Sequence, residues 1–329
     1  MTIPALAASG GVAALAIGAG LRLYRRLSGR SYLLDGWDRM ALSRHDLAGW
    51  MRLAEGRPRA DVTVCLTTTA SRIAYAEGTI ASLFRQSTPP RRVHVHVPHV
   101  SRREGRAPVV PPWLSEATRA PGTGTDVVLV RCEDEGPATK LLAALPTHAP
   151  DDRLLVVDDD VLFPPDFVEA MVRASEAMPD AAVCASGWVV PDDLVDRPTT
   201  LVTNLLRKPP VPVRGTVIAE PVRVDVFQGT NGFVVRPRFF DGRVHGLGSA
   251  PEPVRWVDDV WLSAHCGAER WVVPLRRLPF APHHGRGTHD ATALGRKNRG
   301  TSPETRANTV ALRHLQDRWR VAAKTDVSG

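Results

Sequence analysis

The chain has 329 residues, 43% of them apolar, and a formal net charge of +7. That is enough apolar material for the core of one large α/β domain and too much for a disordered chain. Arginines cluster at Arg22–Arg30, Arg91–Arg106 and Arg286–Arg299 and direct the excess charge towards anionic partners. No recognition-helix pattern, zinc-finger spacing or aromatic RNA-binding signature accompanies them, so no nucleic-acid partner is expected; phosphorylated small molecules or anionic lipid surfaces fit instead.

Thr2–Leu21 carries no charge and is followed by RLYRRLSGR. It is long enough to cross a bilayer, and arginines placed after the apolar run predict an anchor over 1–22 with the remainder on the cytoplasmic side of a bacterial-type inner membrane. A secretory signal peptide would carry its charge first. The Ala/Gly-rich composition leaves a disordered or interfacial leader as the competing reading. Residues 23–60 then show apolar positions at roughly helical spacing, a juxtamembrane helical region.

From Asp61, DVTVCLTTT predicts a first strand, AYAEGTIASLFRQS a helix ending before Pro89, and RVHVHVP a second strand whose His94 and His96 share a solvated or hydrogen-bonded face. DVVLVR follows as a third strand, GPATKLLAAL as a helix opened by Gly136 and Pro137, Leu154–Asp158 as a fourth strand, Pro165–Ala177 as a helix and AAVCAS as another strand. This alternation predicts one α/β domain over 61–300, a Rossmann-like, mostly parallel sheet flanked by helices, with 301–329 a C-terminal helix and tail. Such sheets bind ligands at the carboxyl ends of their strands. Cys65, Cys132, Cys184 and Cys266 stand far apart, with no C-x-x-C pair, and are expected to be buried thiols.

The densest charge lies in RLLVVDDDVLFPPDF. Asp158, Asp159 and Asp160 directly follow an apolar run and repel one another unless hydrogen bonds, basic groups or a cation offset them. Strand alternation would put Asp158 and Asp160 on one side, able to share a divalent metal, and Asp159 on the other. Helix-entry chemistry accounts for Asp166 but not for the triplet.

With the opening CLTTTASR and the segments DEGPATKLLAAL, FQGTNGFVVRP, WVDDVWLSAHC and APHHGRGTH, the triplet resembles the D-x-D motif of nucleotide-sugar-dependent glycosyltransferases of the GT-A fold, family 2-like group. The resemblance spans about Asp61 to His284. It implies Mn²⁺ or Mg²⁺ held by Asp160 and Asp158, with His284 as a third ligand. Contacts to a UDP- or GDP-linked sugar donor would come from Thr67, Thr68, Arg72, Lys140, Asp158, Asp159 and Arg286. Gly229, Asn231 and Gly232 would form the acceptor-side loop. The base for an acceptor hydroxyl would be Asp258 or Asp259, with Asp259 preferred because Asp258 can cap its helix; many relatives show Glu-Asp at that place. The acceptor, whether glycan, lipid or small molecule, is not implied. A single base opposite the leaving group implies inversion, and the missing Q-x-x-R-W motif implies non-processive transfer. Two other readings stand beside this one. A nucleotidyltransferase or metal-dependent phosphohydrolase also places Asp-rich motifs at strand ends, although LTTTASRIAYAEG matches a phosphate loop poorly. A noncatalytic scaffold on anionic lipids accounts for the arginines but not for the converging acids, glycines and histidines.

Overall fold

The computed structural model describes residues 3–120, 124–206, 211–281, 298 and 300–320, with side chains described from residue 16 onward except those of 201 and 320. Three helices precede the sheet: α1 (Ile3–Ser28), α2 (Tyr32–Leu42) and α3 (Leu47–Ala54). The strands are β1 (Ala60–Thr67), β2 (Pro90–Pro98), β3 (Asp126–Cys132), β4 (Leu154–Val156), β5 (Ala181–Cys184), β6 (Ser186–Trp188), β7 (Val213–Arg214), β8 (Val222–Val224), β9 (Val226–Phe227), β10 (Phe233–Val235) and β11 (Glu269–Val272). Between and after them run α4 (Ala76–Phe84), α5 (Pro112–Ala117), α6 (Thr139–Leu142), α7 (Phe167–Ala177), α8 (Leu201–Leu206), α9 (Asp258–His265) and α10 (Ala307–His314).

Eight strands form one sheet in the order β3-β2-β1-β4-β10-β5-β11-β8, and β7-β6-β9 form a second, smaller sheet. β1 pairs in parallel with β2 and β4, and β5 with β11, as strand-helix alternation predicts. β10 departs from this, running antiparallel to both β4 and β5 in the middle of the sheet. A three-residue apolar strand carries no directional signal, so its direction is not readable from the sequence. AAVCAS is likewise split: β5 stays in the large sheet while Ser186 begins β6 of the small one.

The core follows the two-residue period of the strands. Val62, Val64 and Leu66 of β1 point into an apolar layer with α3, α4, α5 and α7, whereas Cys65 points into the opposite layer with α6, α9 and α10. Leu155 and Leu154 divide in the same way. The four thiols are free; Cys65, Cys184 and Cys266 are buried and Cys132 is half-buried. His96 is buried with Nδ1 3.2 Å from the Leu66 carbonyl, and His94 packs 5.0 Å from the His148 ring. Burial holds both imidazoles down at about 4, hence neutral near pH 7.

Residues 23–60 do not stand apart from the sheet. Leu47, Trp50, Met51 and Ala54 of α3 belong to the first apolar layer. The leader forms the 26-residue helix α1. Among the described residues no helix is long and apolar enough to cross a membrane, and the anchor expected over 1–22 falls mostly outside the described side chains.

Candidate functional site

At the carboxyl rim of the sheet a cleft of about 390 Å³ is lined by the ends of β1, β2 and β4 and the first turn of α9. β4 ends at Val156, so the Asp triplet lies in a turn rather than on a strand. Strand alternation therefore does not set the side on which each carboxylate lies, which corrects the reason for pairing Asp158 with Asp160, although the two remain close enough to repel each other. Asp159 and Asp160 both face Arg72, while Asp158 faces Lys140. Arg72 donates through Nε to Asp159 Oδ2 (3.2 Å) and through Nη2 to Asp159 Oδ1, and its Nη2 lies 2.9 Å from Asp160 Oδ2. Burial alone would lower the Arg72 guanidinium, but the two carboxylates outweigh it and raise it.

The inner face of α4 fixes this turn. Thr79 and Ser82 of α4 and Gln86 just beyond its end meet the chain on either side of Val161. Thr79 Oγ1 donates to the Asp159 carbonyl (2.8 Å), Ser82 Oγ accepts from the Phe163 amide (3.1 Å), and Gln86 Nε2 donates to the Pro164 carbonyl (2.8 Å).

Lys140, only 3% exposed, joins the two acidic segments. Its Nζ lies 2.6 Å from Asp158 Oδ1 and 2.9 Å from Asp258 Oδ2. Burial opposes the ammonium charge, yet Asp158, Asp258 and Asp259 together raise its pKa well above the usual value. For Asp158, burial would raise the carboxyl, but Lys140 outweighs it and holds it low, with help from Arg72 and the Thr230 hydroxyl. Lys140 thus lines the cleft while bound between two carboxylates.

Asp258 and Asp259 open α9, whose N-cap is Val257 with no side-chain cap. Asp258 therefore pairs with Lys140 instead of capping the helix, correcting the reason given for preferring its neighbour. Asp259 is half-buried and accepts the Gly229 amide at Oδ1 (2.8 Å). Burial first, then repulsion from Asp258 and Asp158, raise its carboxyl well above the carboxylate range against the pull of Lys140 and the Gly229 amide.

Gly229 allows this approach, because an added Cβ would lie 2.8 Å from Lys140 Nζ and 3.1 Å from Asp259 Oδ1. Gly232 ends the loop at φ 87°, which disfavours a side chain. Asn231 turns away from the cleft to donate to Ser186 Oγ (2.7 Å), and Thr230 lines the cleft instead. Thr67 donates to the His96 carbonyl (3.0 Å), while the buried Thr68 and Ser101 hydroxyls line the cleft without a partner among the described residues. That leaves hydrogen-bonding capacity for a ligand. Thr230, Ser101, Arg103, Asp134 and Trp256 line the cleft without having been singled out in the sequence. Trp256 stands two residues before Asp258, and Ser101 and Arg103 follow β2 at the same rim, positions that the strand-end rule identifies once the strands are known.

His284, with His283 and Arg286, lies outside the described residues. Among the described residues no group of three or more His, Cys, Asp or Glu is arranged to hold a metal. The triplet nevertheless fits a hard divalent cation in donor type and in charge. Asp160 is partly exposed, and burial together with repulsion from Asp158 and Asp159 raises its carboxyl despite Arg72. Charge is thus in excess on oxygen donors, the kind that Mg²⁺ and Mn²⁺ prefer. Two carboxylates are fewer ligands than either ion takes, so donor phosphates would have to complete the set.

No protein-family model and no curated protein matches the chain. Among solved structures it is similar to residues 1–349 of TarS from S. aureus, with 11% identity, a TM-score of 0.40, and coverage of 67% of this chain and 60% of that one. It is also similar to the mannosyltransferase PcManGT from Pyrobaculum calidifontis, described in complex with GDP-Man and Mn²⁺, with 19% identity, a TM-score of 0.44, and coverage of 94% of this chain and 84% of that one. Overlap this loose transfers neither a site nor an activity.

Proposed function

We propose that the chain transfers a sugar from a UDP- or GDP-linked donor to an acceptor hydroxyl, with inversion and one residue at a time. The observation carrying this reading is that one cleft holds both halves of the chemistry: a carboxylate turn with cationic partners and, joined to it through the Lys140–Asp258 pair, a proton-avid carboxylate at the adjacent Asp259. A displacement needs a place for the leaving diphosphate and a base for the attacking hydroxyl.

In this reading Asp259 takes the acceptor proton. Its raised pKa makes it a stronger base than an ordinary aspartate, and the Gly229 amide orients it. Lys140 pairs with Asp258 and holds the α9 terminus against the triplet. Arg72 positions Asp159 and Asp160, and Thr68 and Ser101 hydrogen-bond the nucleoside end of the donor. Asp160 and Asp158 would hold Mn²⁺ or Mg²⁺, which supplies charge neutralisation for the departing diphosphate. Attachment to a membrane through residues 1–22, on the cytoplasmic side, is part of the same proposal.

The test is incubation of the full-length protein with a panel of nucleotide sugars and Mn²⁺. Transfer predicts release of nucleoside diphosphate that rises with the right acceptor. Release of inorganic phosphate or pyrophosphate would favour phosphohydrolase or nucleotidyltransferase chemistry, and no release with any donor a noncatalytic role.

A further inference from the structure

α2 is amphipathic in the reverse sense. Its two carboxylates point inward, Asp35 being 4% and Asp38 1% exposed, while Leu33, Trp37 and Met40 point outward at 64%, 57% and 54%. Ion pairs enforce this orientation. Asp38 accepts from Arg85 Nη2 (2.7 Å) and Arg277 Nη1 (2.6 Å), and neighbouring Arg39 Nε donates to the Ala281 carbonyl (3.0 Å). Turning the helix to bury its apolar side would strip a buried carboxylate of both partners, which is strongly unfavourable.

The outward face is not isolated. Tyr24 near the end of α1 meets Tyr32 edge-on at 6.1 Å, and Thr216 Oγ1 donates to the Gly29 carbonyl (2.7 Å), fixing the α1–α2 corner on the domain. α8 lies beside α1 and exposes Val202 and Leu206. Exposed apolar side chains on neighbouring helices of this kind mark an interaction site.

Charge identifies the partner. Arg22, Arg25, Arg26 and Arg44 are exposed around this surface, whereas the only carboxylates between residues 16 and 45 are the buried Asp35 and Asp38. Aliphatic side chains with Tyr and Trp, flanked by exposed arginines, with Asp46 the first exposed carboxylate beyond them, match the interface of an anionic bilayer, where aromatic rings sit at headgroup level and guanidinium groups meet phosphate. We infer that α2, together with α8 and the end of α1, docks flat on an anionic lipid surface. This contact goes beyond the proposed transfer reaction and does not require residues 1–22 to span the membrane.

Radical footprinting of the full-length chain tests the contact, because Trp37, Met40 and Tyr32 are readily oxidised side chains. Vesicles of phosphatidylcholine with phosphatidylglycerol should lower oxidation of Trp37 and Met40 several-fold. Pure phosphatidylcholine should do so far less, and Tyr75, outside the surface, should be unaffected. Replacing Arg22, Arg25 and Arg26 together by Gln should weaken this lipid-dependent protection about 10²-fold in lipid concentration, at roughly fivefold per charge. Trp37 and Met40 equally reactive with and without vesicles would overturn the inference, even if residues 1–22 held the chain in the bilayer. Equal protection by neutral lipid would overturn the anionic preference. Protection that appears without lipid and tracks a dimer mass would assign the face to a second copy of the chain.

Discussion

At Asp259 the environment sets the chemistry. Its raised pKa means that the folded chain holds this proton more tightly than the unfolded one. Two opposite pH effects follow. As a base Asp259 must be ionised, so transfer should be lost as pH falls through its raised value, placing the acid limb of the rate profile above the ordinary aspartate value of about 4. Stability runs the other way: ionising the carboxyl costs stability, which falls as pH rises from the unfolded value through the folded one. Asp259→Asn should therefore lower transfer by about 10²-fold or more while leaving nucleoside diphosphate binding in place. The same variant should melt no lower than the wild type at pH 8. Near-normal turnover in Asp259→Asn would move the base elsewhere. At Asp160, replacement by Asn or addition of EDTA should weaken nucleoside diphosphate binding, read by calorimetry; equal binding in both would remove the cation from the site.

Between elements, Lys140 is the joint linking α6, the triplet turn and α9. Lys140→Met removes the charge and keeps the length, leaving Asp158 and the buried Asp258 without their cation. Breaking a buried pair in this way costs about 3–5 kcal/mol, measurable as a shift in the denaturant midpoint. Gly229→Ala should cost less stability but most of the activity, since its methyl group would displace Lys140 Nζ or Asp259 from their contact. Kinetics beside a melt would separate the two effects. The sequence makes some of this legible. The acid pair at the start of a helix, the triplet after an apolar run and the glycines of the loop are all local signals, and the fold brings them to one rim. The Lys140 bridge is not legible, because its partners Asp158 and Asp258 are distant in sequence and the sequence offers Lys140 only a donor contact or a solvated position. Nor is the outward-facing apolar side of α2: periodicity gives the axis of an amphipathic helix, whereas its direction depends on Arg85 and Arg277, far along the chain.

For the molecule as a whole, the folded unit begins before the first strand. A chain starting at residue 56 would lose the buried Leu47, Trp50 and Met51, each contributing about 1.5–3 kcal/mol by burial, against a total stability of about 5–15 kcal/mol. Such a chain is expected to aggregate or melt early, while one starting at residue 31 should fold; comparing their thermal melts and soluble yields decides the point. The reversed strand β10 has a consequence for how the protein comes into being. It lies between β4 and β5, yet 48 residues, 185 to 232, separate it from the end of β5. As the chain leaves the ribosome, β1 to β4 can assemble from near neighbours, but β4 keeps an open, fully apolar edge until residue 235 has emerged. Unpaired edges of this kind recruit other chains. The hazard of misassembly is therefore concentrated in one interval of synthesis, and a translational pause between residues 184 and 235 should yield more aggregate than an equal pause after residue 272.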